Sequence, residues 1–368
     1  MKIAIIGLSN SGRTTIFNAL TGQNIETTIY PTTSGEPNYG IVRVPDLRVS
    51  RLAEIYRPRK TTYATVEYID YIGLTKGDTA QNRKVFDLIK DVDAILHVVR
   101  AFKDDSVIHP LGGIDPIRDL ETIEMELIFG DLELVEKRLE RMEEGLKKGK
   151  KPDETEKRVL QKCKEYLEKE IPLRNVSFDE DEQKAMRHLQ FVSTKPEVIV
   201  LNIGEEDLRS DYEKVLTEEA NSFMSRQAGN SITPSHSILT LCGKIEMELA
   251  QLKDEDAQAF LKDLGIEEPA LNRLIHVSYD LLGLISFLTV GEDEVRAWTI
   301  KKGTVAQKAA GKIHSDIEKG FIRAEVIGFD DFIRCGNMAS AREKGLLRLE
   351  GKTYEVRDGD IINFRFNV

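Results

Sequence analysis

Two glycines near the beginning of the chain enclose a short polar segment that could bind phosphate. Gly7 and Gly12 are separated by four residues, and Arg13, Thr14 and Thr15 follow directly. The apolar run before Gly7 predicts a buried strand, and the residues after Gly12 predict a helix. In that context the glycines let consecutive backbone N–H groups point inward at phosphate, and the helix adds its positive N-terminal end. The pattern predicts a P-loop, with a glycine-bounded turn that only caps a helix as the alternative. The predicted nucleotide-binding residues are Asn10, Ser11, Gly12, Arg13, Thr14 and Thr15.

The residue after the second glycine departs from the usual pattern of this loop, G-x-x-x-x-G-K-[ST]. Arg13 stands in the place of the lysine. Its guanidinium keeps the positive charge but is broad and planar, whereas a lysine ammonium is a compact donor. We expect Arg13 to act in catalysis by neutralising charge on the phosphates, and Thr14 to ligate Mg²⁺.

A second motif, Asp70-Tyr71-Ile72-Gly73, directly follows an alternating strand at 65–69. A carboxylate at Asp70 would hold Mg²⁺ through water, and the N–H of Gly73 would contact the γ-phosphate in catalysis. After a P-loop, this arrangement is typical of P-loop NTPases of the GTPase class. Leu74 follows, where Ras-like enzymes have a glutamine that orients water. A leucine cannot orient water, so hydrolysis would need another way of orienting the attacking water.

The residues that would read the base do not match the guanine pattern. GTPases use Asn-Lys-x-Asp after a strand, whereas the strand at 198–201 leads here into Asn202-Ile203-Gly204-Glu205. Without the aspartate, the two hydrogen bonds from guanine are lost, and an unsatisfied polar group in the site is costly. We therefore predict adenine as the base, with Asn202, Ile203 and Glu205 among the binding residues.

Apolar runs separated by helical stretches place these motifs in an α/β fold. The predicted strands are 3–6, 65–69, 94–99, 198–201 and 238–241. Strands that alternate with helices indicate βαβ units and a parallel sheet. We therefore predict a P-loop NTPase domain over residues 1–282. His97 lies inside one of the apolar strands and is interpreted as a core residue rather than a base.

A helical insertion interrupts this domain at residues 117–192. Apolar residues recur in alternating steps of four and three, the spacing of a heptad seam. The seam residues are Ile128, Leu132, Val135, Leu139, Met142 and Leu146, and then Leu160, Cys163, Leu167 and Ile171. A turn at Gly149 and Pro152 separates the two runs, which predicts an antiparallel coiled-coil hairpin. Four of the five residues 147–151 are lysines, which form either a solvated tip or a contact for phosphates.

The last part of the chain, residues 283–368, reads as a β-rich domain. Its predicted strands are 284–290, 296–300, 321–327, 353–356 and 361–366. Turns between these strands are predicted at Lys302-Gly303 and at Asp358-Gly359.

Composition bounds the class of protein. The 368 residues carry a net charge of −11, which argues against a generally basic nucleic-acid coat but leaves a local basic patch possible. The three cysteines lie far apart, so neither a disulfide framework nor a structural zinc site is expected. No apolar run approaches the length of a membrane span, and we expect a cytoplasmic protein that makes no membrane contact.

Taken together, these motifs resemble the YchF/Obg-like ATPases, and the resemblance covers essentially the whole chain. The similar segments are the P-loop, residues 70–74 with Lys76-Gly77, the Asn-x-x-Glu motif at 202–205, residues 242–246, the helical insertion, and residues 294–300, 320–326, 358–360 and 364–368. Cys242, Gly243 and Lys244 resemble the beginning of the family's SAKIE-type base loop, which implies nucleotide binding there. The C-terminal domain resembles TGS, a small β-grasp-like module.

The resemblance implies a cytosolic protein that binds Mg²⁺ and ATP, prefers ATP over GTP and associates with ribosomes. Three departures concern hydrolysis. Arg13 replaces the P-loop lysine, Ser34 takes the place of the threonine that closes on Mg²⁺, and residues 78–83 replace a longer glycine-rich stretch. These departures indicate a divergent member.

The sequence leaves three functions open. The first is a slowly ATP-hydrolysing switch that reports its nucleotide state to the ribosome or ribosomal RNA, in translation or stress regulation. The second is a nucleotide-sensing module with little or no hydrolysis, which Arg13, Ser34 and Leu74 favour. A scaffold that has lost nucleotide binding is a third. We expect a monomer in each case.

Overall fold

The fold is described from a computed structural model of the chain, which covers residues 1–27, 36–151, 153–228 and 236–367. The strands are β1 (Lys2–Ile6), β2 (Asn38–Arg43), β3 (Lys60–Thr62), β4 (Thr65–Asp70), β5 (Ala94–Arg100), β6 (Glu197–Asn202), β7 (His236–Leu241), β8 (Leu284–Thr289), β9 (Glu294–Lys301), β10 (Phe321–Gly328), β11 (Arg348–Glu350) and β12 (Asp360–Phe366). The longer helices are α1 (Arg13–Thr21), α2 (Leu47–Tyr56), α3 (Thr79–Ile89), α4 (Pro116–Lys147), α5 (Glu154–Leu167), α6 (Glu180–Met186), α7 (Asp211–Ala228), α8 (Gly243–Gln251), α9 (Asp254–Asp263), α10 (Ala270–Leu281), α11 (Ala306–Ile313), α12 (Ser315–Lys319), α13 (Phe329–Cys335) and α14 (Met338–Glu343).

The chain divides into two compact units. The first comprises Met1–Val42 and Glu67–Leu274, and the second comprises Arg43–Val66 and Ile275–Val368. The sequence predicted one boundary between these domains, after residue 282, with all of residues 1–282 on the same side of it. The structure differs in assigning Arg43–Val66 to the second unit, because β3 pairs in parallel with β9. The assignment of an NTPase domain, a coiled-coil insertion and a TGS domain to the predicted ranges stays a prediction.

A six-stranded sheet organises the first unit, with the strand order β2-β4-β1-β5-β6-β7. The pairs from β4 through β7 are parallel, as the sequence predicted. Every residue of β5 and β6 is buried, which explains why both read as continuous apolar runs. Since the carboxyl ends of parallel strands meet at one edge, the segments after β1, β4, β6 and β7 converge there.

The helical insertion forms two packed helices. α4 and α5 share a core with α6 that contains Ile128, Val135, Leu160 and Cys163. The helices run antiparallel, since Arg138 late in α4 pairs with Glu156 early in α5. The predicted seam is therefore a packed interface with two exceptions: Leu146 is 54% exposed, and Ile171 lies beyond the end of α5 at Leu167.

The second unit contains a mixed sheet in the order β11-β10-β12-β8-β9-β3. β8 pairs with β9 and β10 with β12 in antiparallel fashion, whereas β12 and β8 are parallel. The predicted strand at 353–356 is wrong. Only Glu355 makes an isolated bridge, to Val305, because Tyr354 closes a turn through its N–H on Gly351 O.

Candidate functional site

A cavity of about 450 Å³ lies where the strand ends of the first unit converge. The P-loop closes one end of it, and the segments after β6 and β7 close the other. Predicted residues on its wall are Asn10, Ser11, Gly12, Arg13, Thr14, Thr15, Asn202, Ile203, Glu205, Cys242 and Lys244. Of the remaining predicted residues, Gly243, Asp70 and Gly73 do not line the cavity, and Ser34 lies outside the described residues.

The P-loop is held in its curled form by close contacts that exclude larger residues. Gly12 has a φ of +90°, a conformation that glycine adopts readily, and it precedes the first residue of α1. A Cβ at Gly12 would clash with the side-chain amide of Asn202. Asn10 donates from Nδ2 to Ile108 O at 2.9 Å. The loop is therefore braced from two neighbouring segments.

Asn202 joins the P-loop to the segment that follows β7. Its Nδ2 donates to Ser11 O at 3.0 Å, and its Oδ1 accepts from Gly243 N at 2.9 Å. The side chain is buried, so both bonds are shielded from water. The sequence predicted a binding residue at this position; the geometry shows that Asn202 also fixes the distance between the two loops that line the cavity.

On the cavity wall formed by the segments after β6 and β7, the carboxylate of Glu205 lies opposite Lys244. Their charged atoms are 3.9 Å apart, and both side chains are exposed. Ile203 is buried and packs in the hydrophobic cluster beside β6, while its N–H donates to Leu241 O at 3.0 Å. Burial raises the pKa of the Cys242 thiol, so this side chain is neutral at physiological pH. The region thus offers an apolar wall, a neutral thiol and one exposed ion pair to a base.

Sequence reasoning missed the segment after β5. Phe102, Lys103 and Asp104 line the same cavity, and the Arg100 guanidinium lies 4.5 Å from the centre of the Phe102 ring. These residues follow the carboxyl end of a buried parallel strand, which is the same positional rule that identified Asn202. The rule could therefore have found them.

The second motif lies beside the P-loop at the end of β4. Thr14 Oγ1 donates to Asp70 Oδ2 at 2.8 Å, and Arg13 Nη1 lies 3.5 Å from Asp70 Oδ1. Burial raises the pKa of the Asp70 carboxyl, against the lowering effect of Arg13 and Thr14. Asp70 Oδ1 is buried and has no hydrogen-bond partner among the described residues. Oxygen donors of this type suit Mg²⁺.

Gly73 and Leu74 pack tightly against the P-loop strand. A Cβ at Gly73 would lie 2.7 Å from Ser9 Oγ, and Leu74 N donates to Gly7 O at 3.0 Å. Leu74 is only 1% exposed and belongs to the core of the first unit. Its side chain thus contributes to packing, which agrees with the prediction that it does not orient water.

The segment after Gly73 is attached to the helical insertion through Glu126 of α4. Glu126 Oε1 accepts from Gly77 N at 2.8 Å, and Oε2 accepts from Asn82 Nδ2 at 2.7 Å. Asn82 is buried in α3 and also bonds both backbone groups of Thr75. We call this set the Glu126 connection. It links the turn after the second motif to α4.

His97 is a buried core residue, as predicted. Its Nδ1 lies 2.9 Å from Glu197 Oε1, and Glu124 is close enough that the three could surround a metal ion. The Arg174 guanidinium already pairs with both carboxylates. Burial raises the pKa of Glu124, whereas Arg174 and His97 lower that of Glu197 against the effect of burial. The cluster is thus a charge-compensated part of the core.

Among the described residues, no helix is both long enough and apolar enough to cross a membrane.

Comparison with known proteins gives full-length matches. A family model named YchF-GTPase_C, described as "Protein of unknown function", matches residues 284–367, and a model described as "50S ribosome-binding GTPase" matches residues 2–129. Proteins named "Ribosome-binding ATPase YchF" are 44% identical in Bacillus subtilis, with all of both chains covered, and 42% identical in Haemophilus influenzae, with 100% of this chain and 99% of the relative covered.

A solved structure described as the Schizosaccharomyces pombe YchF GTPase has the same fold. It superimposes with a TM-score of 0.81 at 30% identity, and the match covers 99% of this chain and 97% of that one. Full-length identity at this level, together with the P-loop and the Asn202-Ile203-Gly204-Glu205 segment, leads to one assignment: the chain belongs to the YchF family of P-loop proteins.

Proposed function

We propose that this chain binds ATP in the 450 Å³ cavity in preference to GTP and hydrolyses it slowly, as a ribosome-associated switch. The observation that carries the base preference is the segment after β6. Where guanine readers have a lysine and an aspartate, this chain has the buried Ile203 and the exposed Glu205, which pairs with Lys244. The glutamate is longer than the aspartate of guanine readers, so its two acceptors are displaced from the positions that a guanine edge requires. The names of the bacterial relatives support the same nucleotide.

The cavity suggests how the nucleotide lies. The triphosphate would lie against the P-loop, where backbone N–H groups and the N-terminal end of α1 supply positive potential. The base would lie between Ile203 and the segment Cys242–Lys244, which begins α8. Asn202 holds these two regions at a set separation.

Mg²⁺ would be held by Thr14 and Asp70, with Ser34 as a further predicted ligand outside the described residues. When bound, the ion would neutralise phosphate charge and orient the terminal phosphate. Among the described residues, the buried Asp70 Oδ1 accepts no hydrogen bond and has the Arg13 guanidinium near it, and the neighbouring oxygens of Asp70 and Thr14 are donors that suit the ion. Gly73 lies close to both Arg13 and Ser9, so its N–H is near the phosphate end of the cavity.

Hydrolysis should be slow because no side chain of the second motif is available to activate water. Leu74 is in the core, and Arg13 is engaged with Asp70 and Tyr71. Single-turnover hydrolysis of ATP separates the switch from a nucleotide-sensing module. Slow phosphate release that depends on Thr14 supports the enzyme, whereas binding without release supports the sensing module.

The ribosome is the proposed partner, and the exposed lysines at the turn between α4 and α5 are the proposed contact. The names of the relatives are the main support for this partner. We further propose a cytoplasmic monomer with an NTPase domain over residues 1–282, a coiled-coil insertion at 117–192 and a TGS domain at 283–368.

The base preference can be tested by restoring the guanine pattern. Ile203→Lys combined with Glu205→Asp should narrow the difference between ATP and GTP affinity. Isothermal titration with both nucleotides measures the change. If the double variant keeps the parent's ratio while remaining folded, the residues after β6 do not set the preference.

A further inference from the structure

Arg13 occupies an unusual place for the basic residue of a P-loop. Its guanidinium lies along the second motif rather than only along the cavity wall. Nη1 donates to Tyr71 O and lies 3.5 Å from Asp70 Oδ1. Nη2 lies 3.0 Å from the position that a Cβ would take at Gly73. The group therefore spans the region from Asp70 to Gly73.

A lysine at position 13 could not make this set of contacts. Its single ammonium nitrogen can approach either the second motif or the phosphates, but it has no second nitrogen held in a fixed plane. The guanidinium fork lets one side chain reach Asp70 and Tyr71 while its far side stays near Gly73. The Arg13 side chain is 11% exposed, so its pairing with Asp70 is only weakly screened by water.

The pairing changes the electrostatics of the proposed metal position. Asp70 is the carboxylate on which a divalent ion would depend, and its charge is already compensated by Arg13. An arriving dication would meet a fixed positive group at short range, in surroundings where charges interact strongly. The pairing therefore reduces the advantage that Mg²⁺ gives to nucleotide binding.

We propose that Arg13 competes with Mg²⁺ for the Asp70 carboxylate, so that ATP binding depends only weakly on Mg²⁺. This inference rests on the proposed function, because it presupposes that the cavity binds ATP. It concerns binding and not the rate of hydrolysis. A guanidinium that swings to the phosphates and leaves Asp70 to the metal is the competing arrangement, and it gives ordinary metal dependence.

The test compares ATP affinity in excess Mg²⁺ and in excess EDTA, for the full chain and for Arg13→Lys. We expect the parent's dissociation constant to change less than about threefold between the two conditions and that of the lysine variant to change about tenfold or more. An equal or larger metal dependence in the parent overturns the inference. Absence of ATP binding by both proteins in both conditions would instead overturn the proposed function, so the two failures are distinguishable.

A second variant keeps the test decisive if Arg13→Lys does not fold. Arg13→Gln keeps a planar polar group but removes the positive charge beside Asp70, so the difference between ATP affinity in excess Mg²⁺ and in EDTA should grow to about tenfold or more. A difference as small as the parent's contradicts the inference. The matched control is Lys244→Ala, a basic residue that lines the same cavity and pairs with Glu205 rather than with Asp70. It should alter ATP affinity by the same factor with and without Mg²⁺.

Discussion

At the scale of single residues, the site depends on side chains whose polar atoms are satisfied by backbone groups of another loop. Asn202 is the clearest case, because one amide group bonds Ser11 and Gly243 at once. The residue was recognisable from its place at the end of β6, as the first residue of the Asn-x-x-Glu motif. That Asn202 holds two loops together could not be predicted, because its partners Ser11 and Gly243 lie in distant parts of the chain.

Replacing Asn202 by alanine should therefore weaken both the fold and the site. The change leaves Ser11 O and Gly243 N without their partner, and we expect a loss of about 1–3 kcal/mol in the free energy of unfolding. ATP affinity should fall together with it, because the two loops lose their fixed separation. Urea denaturation and isothermal titration measure the two effects. Full stability in Asn202→Ala would show that the brace is dispensable.

Asp131 makes a residue-scale prediction about pH. It is buried in α4 and accepts hydrogen bonds from Val192 N and from both the N–H and hydroxyl of Ser193. Burial nevertheless raises the pKa of Asp131 to about 6. As the pH rises, the unfolded chain therefore loses this proton first, and stability declines until the pH passes the folded pKa.

Asp131→Asn removes this titration and should change how stability varies with pH. Relative to the variant, the parent should lose about 3 kcal/mol between pH of about 4 and about 7, since one pKa unit corresponds to about 1.4 kcal/mol. Denaturant titrations of both proteins across this range give the difference. A difference that stays constant with pH would mean that the pKa of Asp131 is not raised in the folded protein.

At the scale of elements, the helical insertion is attached to the turn that follows the second motif. The Glu126 connection ties α4 to Gly77 and to Asn82 in α3, and Gln81 of the same helix donates to Gly73 O at 3.0 Å. α3 and α4 also approach closely at Gly130, where a Cβ would lie 2.7 Å from the Phe86 ring. A change at the phosphate end therefore has a short, hydrogen-bonded route to the insertion.

Glu126→Ala should loosen this route. Hydrogen exchange at the amides of residues 75–82 should become faster, with a modest loss of about 1 kcal/mol in stability because Glu126 is only half-buried. Glu140→Ala, an exposed position on the same helix, is the matched control and should leave exchange in that segment unchanged. Equal exchange in the two variants would show that Glu126 does not hold the turn.

At the scale of the whole molecule, patterns within one stretch of sequence were predictable and pairings between distant stretches were not. The parallel sheet and the paired insertion helices follow from apolar periodicity, which is local. The membership of Arg43–Val66 in the second unit depends instead on β3 pairing with β9 and on Arg48 pairing with Asp358 at 2.7 Å. Neither partner is visible from a short polar segment. The Glu126 connection could not be predicted from the sequence for the same reason.

The proposed ribosome contact is also a property of the whole molecule, since it must overcome a net charge of −11. Replacing Lys147, Lys148, Lys150 and Lys151 by serine should release the protein from ribosomes at lower salt, because phosphate contacts are steeply salt-dependent. ATP binding should not change. A control variant replaces four exposed lysines elsewhere, Lys169, Lys184, Lys214 and Lys319. If the first variant still co-sediments with ribosomes up to the parent's salt midpoint, the four lysines form only a solvated turn and do not contact the ribosome.

The most direct test of the central claim is the affinity of the unmodified chain for ATP and GTP, measured side by side in the same buffer. The cavity has the P-loop at one end and, at the other, Ile203 and the Glu205–Lys244 pair in place of a guanine reader. We predict that the unmodified chain binds ATP more tightly than GTP. Equal affinities, or tighter binding of GTP, would contradict it.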